Sequence, residues 1–150
     1  MLNIVLYQPE IPPNTGNIGR LCHATGTSLH LIGPLGFSID AKAVRRAGLD
    51  YWDELDINVF PDWDSFLDTV DSVESLYFLT TKSDLPYWNV SFRDGDYLVL
   101  GPETRGLPES IILEHKERAI TIPQKSGRSL NLATSAGIVL YEGIKQLNFR

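Results

Sequence analysis

Residues 122–135 read Ile122-Pro123-Gln124-Lys125-Ser126-Gly127-Arg128-Ser129-Leu130-Asn131-Leu132-Ala133-Thr134-Ser135 and place a polar loop between an apolar strand and a long helix. Ser129 and Asn131 are residue types that cap a helix by accepting hydrogen bonds from its first backbone N–H groups. N–H groups that stay unpaired at such a terminus can bind polar or anionic ligand groups. The stretch therefore predicts a ligand-binding loop followed by a capped helix.

Two further loops of this kind occur earlier in the chain. One is Pro13-Asn14-Thr15-Gly16-Asn17-Ile18-Gly19-Arg20, where Asn14 is predicted to cap a helix. The other is Gly101-Pro102-Glu103-Thr104-Arg105-Gly106-Leu107-Pro108, where the Glu103 carboxylate could bind a ligand hydroxyl or amine, or a neighbouring cation. Each loop alone is also compatible with a structural role, as a capped helix start or as a turn with a solvated Glu–Arg pair, and for the loop at 13–20 taken alone the structural role is favoured. Together they predict one site, because loops that follow parallel strands meet at one edge of the sheet.

Apolar segments that alternate with helical segments indicate the fold class. The predicted strands are Leu2–Tyr7, Leu29–Ile32, Ile57–Phe60, Leu76–Thr80, Tyr97–Leu100 and Ala119–Ile122. The predicted helices are Asn14–Ala24, Ala41–Ala47, Trp63–Val70, Pro108–His115 and Asn131–Leu147. The prolines up to Pro13 argue against an earlier start of the first helix. Continuously apolar strands are typical of parallel sheets, so we predict an α/β fold with a mostly parallel sheet, helices on both faces, and a single domain over residues 1–150.

Composition limits the classes of function. The 150 residues carry a formal net charge of −6, which argues against a non-specific nucleic-acid binder without excluding RNA. No apolar run approaches the roughly 20 residues of a membrane span. Cys22 is the only cysteine, so no internal disulfide forms and a reducing cytoplasm is expected. The three histidines lie outside the three loops and are interpreted as structural or surface residues, and no cluster of ligands predicts a metal site.

The three loops together resemble the three motifs of the SPOUT RNA 2′-O-methyltransferases. The resemblance is carried by residues 14–20, 98–108 and 122–133 and covers essentially the whole chain. The short chain and the run Arg45-Arg46-Ala47-Gly48-Leu49-Asp50-Tyr51-Trp52 are similar to the minimal members of that family, which methylate the wobble nucleotide of tRNA. The resemblance implies a trefoil knot in the C-terminal part, S-adenosylmethionine as cofactor and a homodimer. Periodicity gives no sign of a knot, because threaded chains are rare.

The resemblance also implies roles for individual residues. Those that would surround the cofactor are Leu79, Thr80, Gly101, Glu103, Ile122 and Leu130. Arg20 would be the catalytic arginine, Ser129 and Asn131 would line the methyl-transfer site, and Tyr141 would lie near that site or the dimer interface. The substrate would be a cytidine or modified uridine at the wobble position, in the anticodon stem-loop of tRNA-Leu isoacceptors.

The chemistry of methyl transfer is compatible with these roles. A ribose hydroxyl is a weak nucleophile at neutral pH, so its developing negative charge needs stabilisation. Arg20 offers a fixed cation with a planar fork of donors, but an arginine stays protonated in proteins and is a poor base. An RNA phosphate, water or a desolvated arginine would then accept the proton. The candidates for RNA contact at phosphates are Arg45, Arg46, Arg93, Lys125 and Arg128, with Tyr51 or Trp52 stacking on a base. Asn14 is a further candidate for RNA contact. Trp52 is equally compatible with a place in the core.

Three other functions stay open. A Rossmann-type enzyme is disfavoured, because no GxGxxG follows the first strand. A non-catalytic module that binds S-adenosylmethionine or RNA would keep the fold without the chemistry, and the presence of Arg20, Glu103 and Ser129-Leu130-Asn131 argues against it. A methyltransferase of another RNA, such as ribosomal RNA, would use the same chemistry.

Overall fold

One parallel sheet forms the centre of the computed structural model, which describes residues 1–39, 42, 46 and 49–149. Its strands are β1 (Asn3–Tyr7), β2 (Ser28–Ile32), β3 (Ile57–Phe60), β4 (Leu76–Leu79), β5 (Tyr97–Leu100) and β6 (Ala119–Ile120). The strand order is β3-β2-β1-β5-β4-β6, and all pairings between these strands are parallel. The predicted parallel sheet is confirmed. The last strand is shorter than predicted, because Thr121 leaves β4 and pairs with the segment around Pro86.

Helices cover both faces of the sheet, as predicted. The described helices are α1 (Pro12–Thr25), α2 (Trp63–Leu67), α3 (Glu109–Glu114) and α4 (Leu132–Phe149). Short 3₁₀ segments lie at Leu49–Glu54, Val73–Ser75, Tyr87–Asn89 and Lys116–Arg118. Helices α1 and α4 pack on one face through residues such as Ile18 and Val139, and α2 and α3 pack on the other through Phe66 and Ile111. Among the described residues, no helix is both long and apolar enough to cross a membrane.

The start of α1 differs from the prediction. The helix begins at Pro12, and prolines occupy its first turn. Proline is tolerated there because the first N–H groups of a helix have no acceptor within the helix, so the N–H that proline lacks costs no hydrogen bond. Asn14 therefore lies inside the helix, and Ile11 occupies the N-cap position without a side-chain cap. The predicted stop before Gly26 is confirmed, since Gly26 adopts the left-handed conformation with φ of 69°. The helix predicted over 41–47 falls largely outside the described residues.

The core explains why β1 and β5 read as continuously apolar. Ile4 and Leu6 point to the face of α1 and α4, whereas Val5 points to the face of α2 and α3, and all are essentially inaccessible to solvent. Burial of each such side chain is worth about 1.5–3 kcal/mol relative to exposure. These two strands lie side by side in the sheet, so the loops after them start from neighbouring buried strands.

The segment 83–87 passes along the outer side of β6. The Ser83 hydroxyl donates to the Ala119 carbonyl at 2.7 Å, the Thr121 N–H donates to the Leu85 carbonyl at 2.8 Å, and the Tyr87 N–H donates to the Thr121 carbonyl at 2.9 Å. The connection from β4 to β5 passes around the outer side of β6 before it returns to β5. Residues 119–121 are therefore enclosed between β4 and this connection. A threaded chain requires this arrangement, and the trefoil knot itself stays a prediction.

The strand order also locates the site. The chain leaves β1 through α1 towards β2, and it leaves β5 through α3 on the opposite face towards β6. Neighbouring strands whose connections diverge in this way open a crevice at their carboxyl ends, where open α/β sheets bind ligands.

Candidate functional site

A cavity of about 480 Å³ opens at the carboxyl edge of the sheet. The segments that follow β1, β4, β5 and β6 all contribute to its lining. The lining residues are Ile11, Asn14, Leu79–Lys82, Leu100–Leu107, Thr121, Ile122, Gln124, Ser129–Leu132 and Ser135. The predicted convergence of the three loops on one place is therefore confirmed.

Gly101 lets the second loop fold back on itself. A Cβ at this position would overlap the backbone nitrogen of Leu107 and the carbonyl carbon of Gly106, and it would lie 2.9 Å from the Leu107 Cα. The glycine is therefore needed for space within the loop, and its φ is outside the left-handed region. Gly106 is different, because its φ of 68° is itself a conformation that favours glycine.

The Glu103 carboxylate is turned towards the start of α1. It accepts the backbone N–H of Glu10 at 2.8 Å and that of Ile11 at 2.7 Å, and it also accepts the Asn14 amide at 3.2 Å. The alternative of a Glu103–Arg105 pair is wrong, since Arg105 pairs with Glu10, with its Nε 3.6 Å from the Glu10 Oε2. Glu103 thus ties the second loop to the first.

Glu10 makes the reciprocal contact. Its carboxylate accepts the Thr104 N–H at 2.9 Å and the Thr104 hydroxyl at 2.7 Å. The hydrogen bonds from the Thr104 N–H and hydroxyl lower the pKa of Glu10, and the nearby Arg105 adds to the effect. The two loops are therefore joined by carboxylates that cross in opposite directions.

Asn131 joins the third loop to the first. Its side-chain oxygen accepts the Thr134 N–H at 3.1 Å, so the predicted cap of α4 is confirmed for Asn131. Its amide nitrogen donates to the Asn14 side-chain oxygen at 3.1 Å. Ser129 is exposed in the loop and lines the cavity, and Asn131 takes the capping position.

Comparison with known proteins agrees with this geometry. The model of the SpoU rRNA Methylase family matches residues 1–141. The chain belongs to that family. A tRNA (cytidine(34)-2′-O)-methyltransferase from Escherichia coli (strain K12) is 49% identical, over 99% of this chain and 96% of the relative. The resemblance inferred from the three loops is thus confirmed, and a Rossmann-type enzyme is excluded.

Solved structures of RNA methyltransferases have the same fold as this chain. A structure described as giving insights into the 2-OH methylation of C/U34 on tRNA superimposes with a TM-score of 0.94 at 40% identity, covering 100% of this chain and 98% of the other. The SpoU methyltransferase AviRb from Streptomyces viridochromogenes, in complex with AdoMet, gives a TM-score of 0.87 at 24% identity, over 98% of this chain and 60% of AviRb. At that identity, the likeness to AviRb shows the fold alone.

The cavity gathers most of the residues that the SPOUT resemblance singled out. All the residues predicted to surround the cofactor line it: Leu79, Thr80, Gly101, Glu103, Ile122 and Leu130. Ser129, Asn131 and Asn14 line it as well, and the Asn14 side chain is buried with its amide bonded to Glu103 and Asn131.

Other predicted residues lie outside the lining. Arg20 is exposed on α1, and Tyr141 is 54% exposed on α4. Lys125 and Arg128 are exposed in the third loop. Arg46 is exposed, whereas Arg45 lies outside the described residues.

Trp52 belongs to the core. It is 5% exposed, and its ring lies against Gly19, where a Cβ would approach the Trp52 Cζ3 to 2.7 Å. Its proposed stacking on a base is therefore wrong.

None of the three histidines lines the cavity, and their structural or surface role stays a prediction. His30 is surrounded by Phe60, Phe66 and Tyr97, and burial lowers its pKa. The described residues contain no cluster of three or more side chains that could hold a metal ion.

Several residues at the site are not among the predicted site residues. Thr81 and Lys82 line the cavity just after β4, and Glu10 anchors the second loop just after β1. Their position directly after predicted strands was the available signal, because the carboxyl ends of parallel strands face the crevice. The contact between Glu10 and Thr104 spans 94 residues of sequence and leaves no local pattern.

Proposed function

We propose that this protein is an S-adenosylmethionine-dependent tRNA 2′-O-methyltransferase that acts on the ribose of wobble nucleotide 34. The observation that carries the proposal is the 49% identity, across nearly the full length of both chains, to a relative named tRNA (cytidine(34)-2′-O)-methyltransferase. The expected substrates are the anticodon stem-loops of tRNA-Leu isoacceptors with a cytidine or modified uridine at this position. Residues 1–150 would form a single domain that works in a reducing cytoplasm.

The residues of the cavity fit a nucleoside-containing cofactor. A volume of about 480 Å³ lies within the range of small-molecule sites. Leu79, Ile122 and Leu130 provide apolar walls, and Thr80 and the backbone from Gly101 provide polar groups. S-adenosylmethionine, when bound, supplies a methyl group that is already activated by a positively charged sulfonium.

The protein's own task is to orient the ribose hydroxyl and to stabilise its negative charge. Alignment of reactants can supply roughly 7–11 kcal/mol of the barrier. We assign Ser129 and Asn131 to the orientation of the hydroxyl, because both line the cavity. We assign Arg20 to charge stabilisation, with an RNA phosphate or water as proton acceptor.

In a homodimer, Arg20 of one subunit would reach the cavity of the partner subunit. Arg20 is exposed and does not line the cavity of its own chain. Ile11, Leu130 and Tyr141 are exposed apolar side chains near the cavity or on α4, which is compatible with a partner subunit covering them. The exposed cations Arg46, Lys125 and Arg128, with Arg45, are proposed to contact RNA phosphates, and Asn14 to act at the RNA through Asn131. Light scattering that reports a monomer would contradict the dimer.

The test is methyl transfer from labelled S-adenosylmethionine to total tRNA from a strain that lacks the protein. We expect a 2′-O-methyl group at nucleotide 34, located by nuclease mapping. Methylation of ribosomal RNA in place of tRNA would show that the substrate is ribosomal RNA. Cofactor binding by calorimetry without methylation of either RNA would favour the non-catalytic module.

A further inference from the structure

Glu103 lies in a cavity loop, yet the hydrogen bonds of its carboxylate go to the first loop. The acceptors are both carboxylate oxygens, and the donors are two backbone N–H groups and the Asn14 amide. An ionised carboxylate can only accept hydrogen bonds. The negative charge of Glu103 therefore requires the Asn14 side chain to turn its NH₂ group towards the carboxylate.

The orientation imposed by Glu103 continues through two amides. The Asn14 NH₂ must face Glu103, so the Asn14 oxygen faces Asn131 and accepts a hydrogen bond from its NH₂ at 3.1 Å. The Asn131 oxygen is then left to accept the Thr134 N–H at 3.1 Å. Each donor meets an acceptor in only this direction, because an amide presents NH₂ on one side and oxygen on the other.

We propose that Glu103 is a positioning residue whose negative charge fixes the amide orientation of Asn14 and, through it, of Asn131 at the cavity. This inference rests on the proposed function for its activity test and changes the role that the SPOUT resemblance implied for Glu103, from contact with the cofactor to control of the third loop. Asn131 both caps α4 and lines the cavity, so its orientation governs which atom it presents to a substrate.

The Glu103→Gln variant removes the charge and keeps the shape. A glutamine has a single amide oxygen for the donors at Glu10, Ile11 and Asn14, and its own NH₂ faces at least one of them. One carboxylate oxygen serves Glu10 alone, and the other serves both Ile11 and Asn14. Where the Gln NH₂ takes the second place, the Asn14 amide gains by turning over, and Asn131 must follow or lose its hydrogen bond. Where it takes the first place, the Glu10 N–H loses its acceptor and the tie between the two loops is weakened. We expect kcat for tRNA methylation to fall by about tenfold or more, since a hydrogen bond to a charged group is being lost.

Cofactor affinity separates positioning from direct contact. Calorimetry with S-adenosylmethionine should give a Kd within about threefold of the wild-type value, because the loss lies in kcat. Glu109→Gln is the matched control, since it removes one carboxylate from the exposed first turn of α3, beside the same loop. We expect its kcat and cofactor Kd to equal those of the wild type.

A second substitution tests the orientation itself. In Glu103→Gln/Asn14→Asp, the new carboxylate accepts the Gln NH₂ on one side and the Asn131 NH₂ on the other. It lies in the first turn of α1, where the helix dipole favours a negative charge. The double variant should therefore recover most of the lost kcat, and the Asn131 side-chain NH₂ signal in NMR should return to its wild-type position.

The outcomes are distinct. A rise in cofactor Kd that accounts for the whole loss in Glu103→Gln, without recovery in the double variant, would make Glu103 a cofactor ligand and overturn the proposal. Normal kcat in Glu103→Gln would overturn it too. If Glu103→Gln is unfolded at the assay temperature, recovery of kcat and of the NMR signal in the double variant supports the proposal, and the lack of both overturns it. An inactive wild-type protein would count against the proposed function, and the NMR comparison would still test the orientation.

Discussion

Replacement of Gly101 by alanine should disrupt the cavity by overpacking its second loop. The new Cβ would overlap the Leu107 nitrogen and the Gly106 carbonyl carbon and would come within 2.9 Å of the Leu107 Cα. All of these are backbone atoms, so no side-chain rotation relieves the overlap and the loop itself must move. Overpacking of a well-packed site costs about 1–3 kcal/mol, and we expect about 3 kcal/mol here because only a shift of the backbone can relieve the overlap.

The assay is urea denaturation followed by circular dichroism, with calorimetry of S-adenosylmethionine on the same samples. Gly127→Ala is the matched control, since a Cβ at Gly127 has no atom within 4 Å and the free energy of unfolding should change by less than about 0.5 kcal/mol. We expect Gly101→Ala to lose both stability and cofactor binding. A free energy of unfolding and a cofactor Kd equal to those of Gly127→Ala would refute the steric reasoning.

Three further predictions concern single side chains. Arg20→Lys should lower kcat by about tenfold or more because lysine lacks the planar fork, and near-normal turnover would contradict the role of Arg20. Burial raises the pKa of the Cys22 thiol to about 12, so iodoacetamide should alkylate it only in the unfolded protein, as mass spectrometry would show. Burial lowers the pKa of His30 below its ordinary value of 6.5, while Asp56 opposes the shift. The unfolded chain therefore binds more protons just below pH 6.5, and the free energy of unfolding should fall as the pH drops from 6.5. His30→Gln should flatten that slope in denaturation series, and an unchanged slope would refute the assignment.

Sequence patterns predict a strand or helix correctly where its formation depends on residues that are close together in the chain. The apolar runs of β1 and β5 and the glycine stop of α1 follow from neighbouring residues, and the structure confirms them. The predicted start of α1 is wrong, because prolines break a helix only in its interior and are tolerated in its first turn. That error also gave Asn14 the role of a cap, whereas its amide bonds Glu103 and Asn131 across the sheet edge.

Side-chain partners at the site were less predictable than the site itself. The sequence alone determined the α/β class, the parallel sheet and the three loops at one edge, because strand patterns and glycines act over a few residues. Only the tertiary structure decided that Trp52 packs on Gly19, that Glu10 and Glu103 cross between loops, and that Arg20 lies outside the cavity of its own chain. These contacts join residues far apart in the chain, and they form only when the order of the strands brings the loops together.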